Sequence, residues 1–115
     1  MIHLVSFVKA KPGMSREAFR EHWRERHAPL LLSIPEDRRH TAYYGQYTRV
    51  DSDYDRPGSP GYDGVAVQSF ESMEDVEAFI AELQKVGTDA PEFMDLTDSP
   101  WILTSDPLVV VGERP

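Results

Sequence analysis

Residues 2–9 carry apolar side chains on both alternating sets, Ile2, Leu4 and Val8 on one side and Val5 and Phe7 on the other. A strand with that pattern is buried on both faces. The chain must therefore cover each side of its sheet. After Lys11, Pro12 and Gly13 break the strand, Ser15 can cap a helix, with Met14 and Phe19 placed as a hydrophobic staple. Phe19, Trp23, His27 and Leu30 follow at spacings of four, four and three, which puts them on one α-helical stripe facing the sheet. Pro29 lacks an amide proton and crowds the carbonyl four residues earlier, so the helix is expected to kink or end beside His27.

A second strand is read over residues 40–50, rich in Tyr43, Tyr44, Tyr47, Thr41 and Thr48, with Gly45 marking a bulge or a close approach. The acidic, breaker-rich residues 51–61 form a loop. A third strand spans residues 62–70, again apolar on both sides. Ser72 and Asp75 resemble a capping box, and Val76, Phe79, Ile80 and Leu83 then mark a helix that Gly87 stops. Residues 91–96 can add a helical turn, and the apolar run at residues 108–111 reads as the last strand.

The order β-α-β-β-α-β is that of an α+β ferredoxin-like sandwich, two helices on one face of a four-stranded antiparallel sheet. At 115 residues, the whole of 1–115 is expected to be a single domain. The helices leave one apolar sheet face bare, and a second copy of the chain is the most economical cover, so a homodimer is expected.

Composition narrows the chemistry. A formal charge of -8 repels phosphate backbones and anionic lipid, so neither nucleic acid nor a membrane surface is an expected partner. Without cysteine there is no disulfide, thiolate nucleophile or Cys-ligated metal. That usage fits a reducing cytoplasm, and the opening residues read as a strand rather than a signal peptide or membrane span. His22 and His27 are five apart, about 140° around an α-helix, so they do not form a helical zinc pair, and His22 is placed toward solvent. No metal is expected.

His27 is the leading candidate for chemistry, because imidazole can take and return a proton near neutral pH and the stripe aims it inward. The competing role is structural, satisfying a carbonyl freed by Pro29. Tyr44 can steady an oxygen that becomes anionic. Tyr43 and Tyr47 have the opposite strand parity and are the alternative, since neighbours on a strand face opposite sides. Trp23, near His27, serves either as a flat pocket wall or as core.

The segment Pro12-Gly-Met-Ser-Arg-Glu-Ala-Phe-Arg-Glu-His-Trp-Arg-Glu-Arg-His-Ala-Pro-Leu30, with Leu4-Val-Ser-Phe-Val-Lys9, Tyr62-Asp-Gly-Val-Ala66 and Phe93-Met-Asp95, resembles the EthD family of the dimeric α/β-barrel superfamily. The resemblance implies a homodimeric α/β-barrel with a small-molecule pocket between sheet and helices in each subunit. It also implies chemistry without metal or organic cofactor on lactones, quinones or polyketide-like aromatics. The family's characteristic histidine falls on His27 and its second-strand tyrosine on Tyr44. The expected function is thus a cofactor-independent acid/base enzyme of isomerase, cyclase or dehydratase type, acting on a small hydrophobic or aromatic metabolite. The alternatives are a cofactor-free oxygenase of phenols or quinols, and a non-catalytic small-molecule-binding dimer.

Overall fold

In the computed structural model, which describes residues 1–113 apart from the side chains of residues 36–38, four strands form one antiparallel sheet in the order β2-β3-β1-β4. They are β1 (Ile2–Val8), β2 (Tyr43–Thr48), β3 (Gly64–Phe70) and β4 (Trp101–Thr104). This is the ferredoxin-like α+β architecture expected from the element order.

Register decides which side chains meet the helices. Leu4 pairs with Gln68 and Leu103, Ser6 with Ala66 and Trp101, and Tyr44 with Gln68. Even-numbered residues of β1, β2 and β3 therefore share one face with Trp101 and Leu103. Against that face lie α1 (Arg16–Glu21), a π-helical segment (His22–His27), α2 (Ala28–Ser33) and α4 (Met73–Val86). The other helices are α3 (Pro35–His40), the short α5 (Ala90–Phe93) and a 3-10 helix (Asp51–Asp55) within the loop after β2. One buried cluster joins Val8, Phe19, Trp23 and Phe93, and another joins Leu31, Phe70, Val76 and Phe79.

Helices α1 and α4 start where their caps place them. Ser15 accepts from the Ala18 amide at 3.1 Å and Ser72 from the Asp75 amide at 3.2 Å. Gly87, at φ 76°, ends α4 in a conformation that side chains resist.

The structure corrects the last strand. It is Trp101–Thr104, paired with β1, and not residues 108–111. Continuous apolarity drew the reading to the later run, but pairing with β1 depends on register, and β4 puts Leu103 opposite Leu4 and into the core. Leu108, Val110 and Val111 are each about nine-tenths exposed in this chain. The second strand is also shorter than residues 40–50, because α3 runs through His40. Gly45 marks a close approach and no bulge. The ladder with β3 is unbroken, and a side chain at residue 45 would collide with the Tyr43 ring.

Beyond the helices' reach, the opposite sheet face exposes Phe7, Tyr43, Tyr47 and Ile102. Among the described residues, no helix is long and apolar enough to cross a membrane.

Candidate functional site

The stretch that carries His27 is not α-helical. From His22 to His27 the backbone widens into a π-helix, and the Ala28 amide donates to the Trp23 carbonyl five residues back. The inserted residue has two consequences for the sequence-derived stripe. It moves the inward position after His27 from Leu30, which is 49% exposed, to Leu31, which is 7% exposed. It also brings residues five apart onto one side, since bonds from i to i+5 imply a turn of about four and a half residues.

His22 is therefore buried, and its placement toward solvent is corrected. The imidazoles of His22 and His27 converge on one buried carboxylate, Asp89. His22 Nε2 lies 2.7 Å from Oδ2, and His27 Nδ1 lies 2.7 Å from Oδ1. Asp89 precedes α5, and that turn also supplies Phe93. The Phe93 ring stacks on His22 at 4.6 Å between centroids and meets His27 at 5.0 Å.

Burial by itself would raise the Asp89 carboxyl, but the hydrogen bonds from His27 and His22 hold it below the ordinary carboxylate value. An ionised carboxylate only accepts, so both imidazoles must donate to it. In the neutral ring His27 thus carries its proton on Nδ1 and keeps Nε2 bare.

His27 lines a cavity of about 460 Å³ between the sheet and α4. Trp23 and Tyr44 line it too, with Leu31, Phe79 and Met94 supplying apolar wall. Its polar lining is Ser6, His27, Tyr44, Gln68, Gln84, Thr88 and Ser99, and no described Asp, Glu, Lys or Arg contributes. Trp23 fills both roles considered for it, since it is buried in the core and also forms cavity wall.

The strand parity left open by the sequence is resolved here. Tyr44 lies on the cavity face, whereas Tyr43 and Tyr47 lie on the opposite face, hydroxyl to hydroxyl at 2.7 Å, and do not line the cavity. Gln46 donates to the Trp23 carbonyl at 2.9 Å and to the Tyr44 hydroxyl oxygen at 3.1 Å. The Tyr44 proton remains available to another acceptor. Burial pushes the Tyr44 phenol above its ordinary value and the nearby Asp89 charge adds to this, while the Gln46 bond opposes it, so at neutral pH it is a donor.

His22, an Asp89 oxygen and a Glu92 oxygen come within 4.8 Å of one another, the sole such grouping among the described residues. A cation there would have to displace the proton that His22 shares with Asp89. The arrangement fits a hydrogen-bonded pair better than a ligand set.

Two testable consequences arise here. Gly64 packs against Trp23, and a Cβ would come within 2.7 Å of its ring and 2.9 Å of the Tyr47 carbonyl. Gly64→Ala is expected to cost about 1–3 kcal/mol by overpacking, read from denaturant unfolding, and to displace the cavity wall. Asp89 has a lowered folded value, so its stabilisation is complete above the unfolded carboxylate value of about 3.9 and is lost as pH falls through the folded value. Asp89→Asn is expected to lose about 1–3 kcal/mol at pH 7, and to show a smaller further loss than the parent between pH 5 and 2 in unfolding titrations.

His27, Tyr44 and Trp23 were visible in the sequence, whereas Asp89, His22 and Gln46 were missed. An aspartate before Ala90 and Pro91 is a helix-start signal that could have singled out Asp89. Nothing local to His22 or Gln46 marks them.

An EthD family protein from Bacillus halodurans has a similar solved structure, with a TM-score of 0.67, 20% identity and coverage of 93% of this chain and 99% of that one. A dimeric protein of ferredoxin-like fold from Bacteroides fragilis gives a TM-score of 0.58 at 10% identity, covering 91% and 95%. MhuD, in a crystal structure with two manganese protoporphyrin IX molecules bound per active site, gives 0.55 at 16% identity, covering 97% and 100%. At such identities these structures speak to the fold alone. No curated protein sequence matches the chain. The EthD domain matches residues 11–97, three quarters of the chain and all of the helix that carries His22 and His27. The chain belongs to the EthD family.

Proposed function

We propose that the protein is an acid/base enzyme that moves a proton next to a carbonyl or phenol in a small, uncharged aromatic, lactone or polyketide-like molecule. The observation that carries this reading is the His27–Asp89 pair at the wall of an apolar cavity, with Nδ1 tied down and Nε2 bare. Nε2 takes a proton from the carbon beside the carbonyl, and the C–H electron pair becomes the enolate π-bond as charge moves onto oxygen. Tyr44 donates to that oxygen, with Gln46 holding the phenol in place. Returning the proton to another carbon completes an isomerisation, and giving it to a departing hydroxide completes a dehydration. The transfer itself needs only a base and a donor.

The cavity favours neutral substrates, because no described Lys or Arg lines it to pair with a buried ligand carboxylate. That distinguishes it from a site for a porphyrin such as the one MhuD binds, whose propionates call for cationic groups. The test is a panel of enolisable aromatic lactones, anthrones and quinols, followed for turnover in air and under nitrogen. Turnover that continues without oxygen is expected. Turnover that consumes oxygen would establish the oxygenase alternative, and binding without turnover would establish a carrier.

The working assembly in this proposal is a homodimer. Its support is the bare sheet face carrying Phe7, Tyr43, Tyr47 and Ile102, the exposed apolar run at residues 108–111, and the dimeric relative of the same fold. Asp106 holds the start of that run on the bare side, bonding the Met1 amino group at 3.0 Å and His3 Nε2 at 2.9 Å. Removing residues 108–115 is expected to raise the dimer dissociation constant about tenfold or more, measured by analytical ultracentrifugation.

A further inference from the structure

The reading of His27 as the base leaves its neighbour His22 unused, although His22 is buried and makes a hydrogen bond of equal length to the same carboxylate. On an α-helix the two would point apart. The π-helical segment brings them together, and such segments are uncommon enough that they tend to persist where they do something.

Asp89 sits before a helix of only four residues and makes no side-chain cap bond to it, so beyond its own backbone amide the groups that hold its carboxylate come from elsewhere in the chain. What restrains it is a donor at each oxygen, His27 on Oδ1 and His22 on Oδ2, with both rings against Phe93. Besides His27, the charged groups facing His22 are Asp89 itself and Glu92 at the rim.

We propose that His22 is a positioning residue for His27: it fixes the Asp89 carboxylate so that one oxygen is always presented to His27 Nδ1, and the bare Nε2 is thereby kept toward the cavity. This rests on the reading of His27 as the base, and it extends the machinery by one residue that never meets substrate. Without the second imidazole, a buried carboxylate oxygen loses its side-chain donor. The carboxylate then recovers a partner either by turning toward the rim, which frees His27 Nδ1 to exchange its proton with Nε2, or by drawing an additional proton onto the pair. Both routes remove the bare Nε2.

The test is long-range 1H–15N NMR of the imidazoles in the unliganded protein at pH 8, where ordinary imidazole is neutral. It needs no substrate, so its outcome is separate from that of the turnover panel. Wild type is expected to show His27 protonated on Nδ1 and bare at Nε2, with His22 protonated on Nε2. His22→Phe keeps a ring on Phe93 but removes the donor, and the share of molecules with a bare His27 Nε2 is expected to fall at least threefold. His22→Gln returns an N–H to the same place and is expected to restore it. A His22→Phe protein with the wild-type His27 pattern would overturn the proposal, because a merely structural His22 lowers the melting temperature without moving that signal. If His22→Phe fails to fold, wild type and His22→Gln decide together: a His22 bare at Nε2 or a His27 bare at Nδ1 in wild type, or a His27 pattern unlike wild type in His22→Gln, overturns the proposal, and the expected pattern in both upholds it.

Discussion

Replacing His27 with alanine is expected to lower turnover of any active compound from the substrate panel by about 10²–10⁴-fold, the usual contribution of a positioned general base. Affinity for the same compound should change little, because the binding surface comes mainly from Trp23, Leu31, Phe79, Met94 and their neighbours. Loss of turnover with retained binding is the signature of a group that acts on the reacting atoms. Single-turnover rates and equilibrium titration, with Trp23 and Trp101 as fluorophores at the cavity wall, separate the two quantities. Equal loss of both would instead assign His27 the structural role raised by Pro29. The geometry disfavours that role, since His27 Nδ1 meets the Asp89 carboxylate and not a freed carbonyl.

The largest stability effect is expected at Phe93. Its side chain is fully buried, it touches Phe19, and both histidine rings rest on it. Phe93→Ala should cost about 3–5 kcal/mol, the range for deleting a buried aromatic ring, and denaturant unfolding measures it. The same change removes the support for both imidazoles, so surviving folded protein should lose turnover as well. Phe93→Leu fills most of the volume and is expected to recover most of the stability but less of the activity. That difference between fold and site is what a shared foundation for core and chemistry requires.

Much of the fold was legible because it rests on local rules. Helix α4 follows from the spacing of Val76, Phe79, Ile80 and Leu83 between a serine cap and a glycine stop, and the structure places it at Met73–Val86. The doubly apolar β1 likewise appears where alternation puts it. Two features depended on relations that a linear reading does not hold. The final strand is chosen by its register with β1, so a mixed Trp-Ile-Leu-Thr segment was favoured over a more apolar run downstream. The π-helix changes the period within a single turn, so a stripe drawn at α-helical spacing reached His27 correctly but chose Leu30 in place of Leu31 and turned His22 outward.

The site divided along the same line. His27, Tyr44 and Trp23 lie on elements whose patterns point them inward, while Asp89 arrives from 62 residues away on a short turn. Its role exists only after folding. Tyr43 and Tyr47 could not be separated from Tyr44 until the pairing with β3 set the parity.

The central claim is that His27 exchanges a proton with carbon in the cavity, and isotope exchange in D2O tests it most directly. An enolisable aromatic lactone that binds the protein is incubated in D2O, and proton NMR follows the carbon beside its carbonyl. Wild type is expected to introduce deuterium there at least a hundredfold faster than His27→Ala, whether or not a product accumulates. Equal exchange by the two proteins, or no exchange above buffer for a compound shown to be bound, would contradict the assignment.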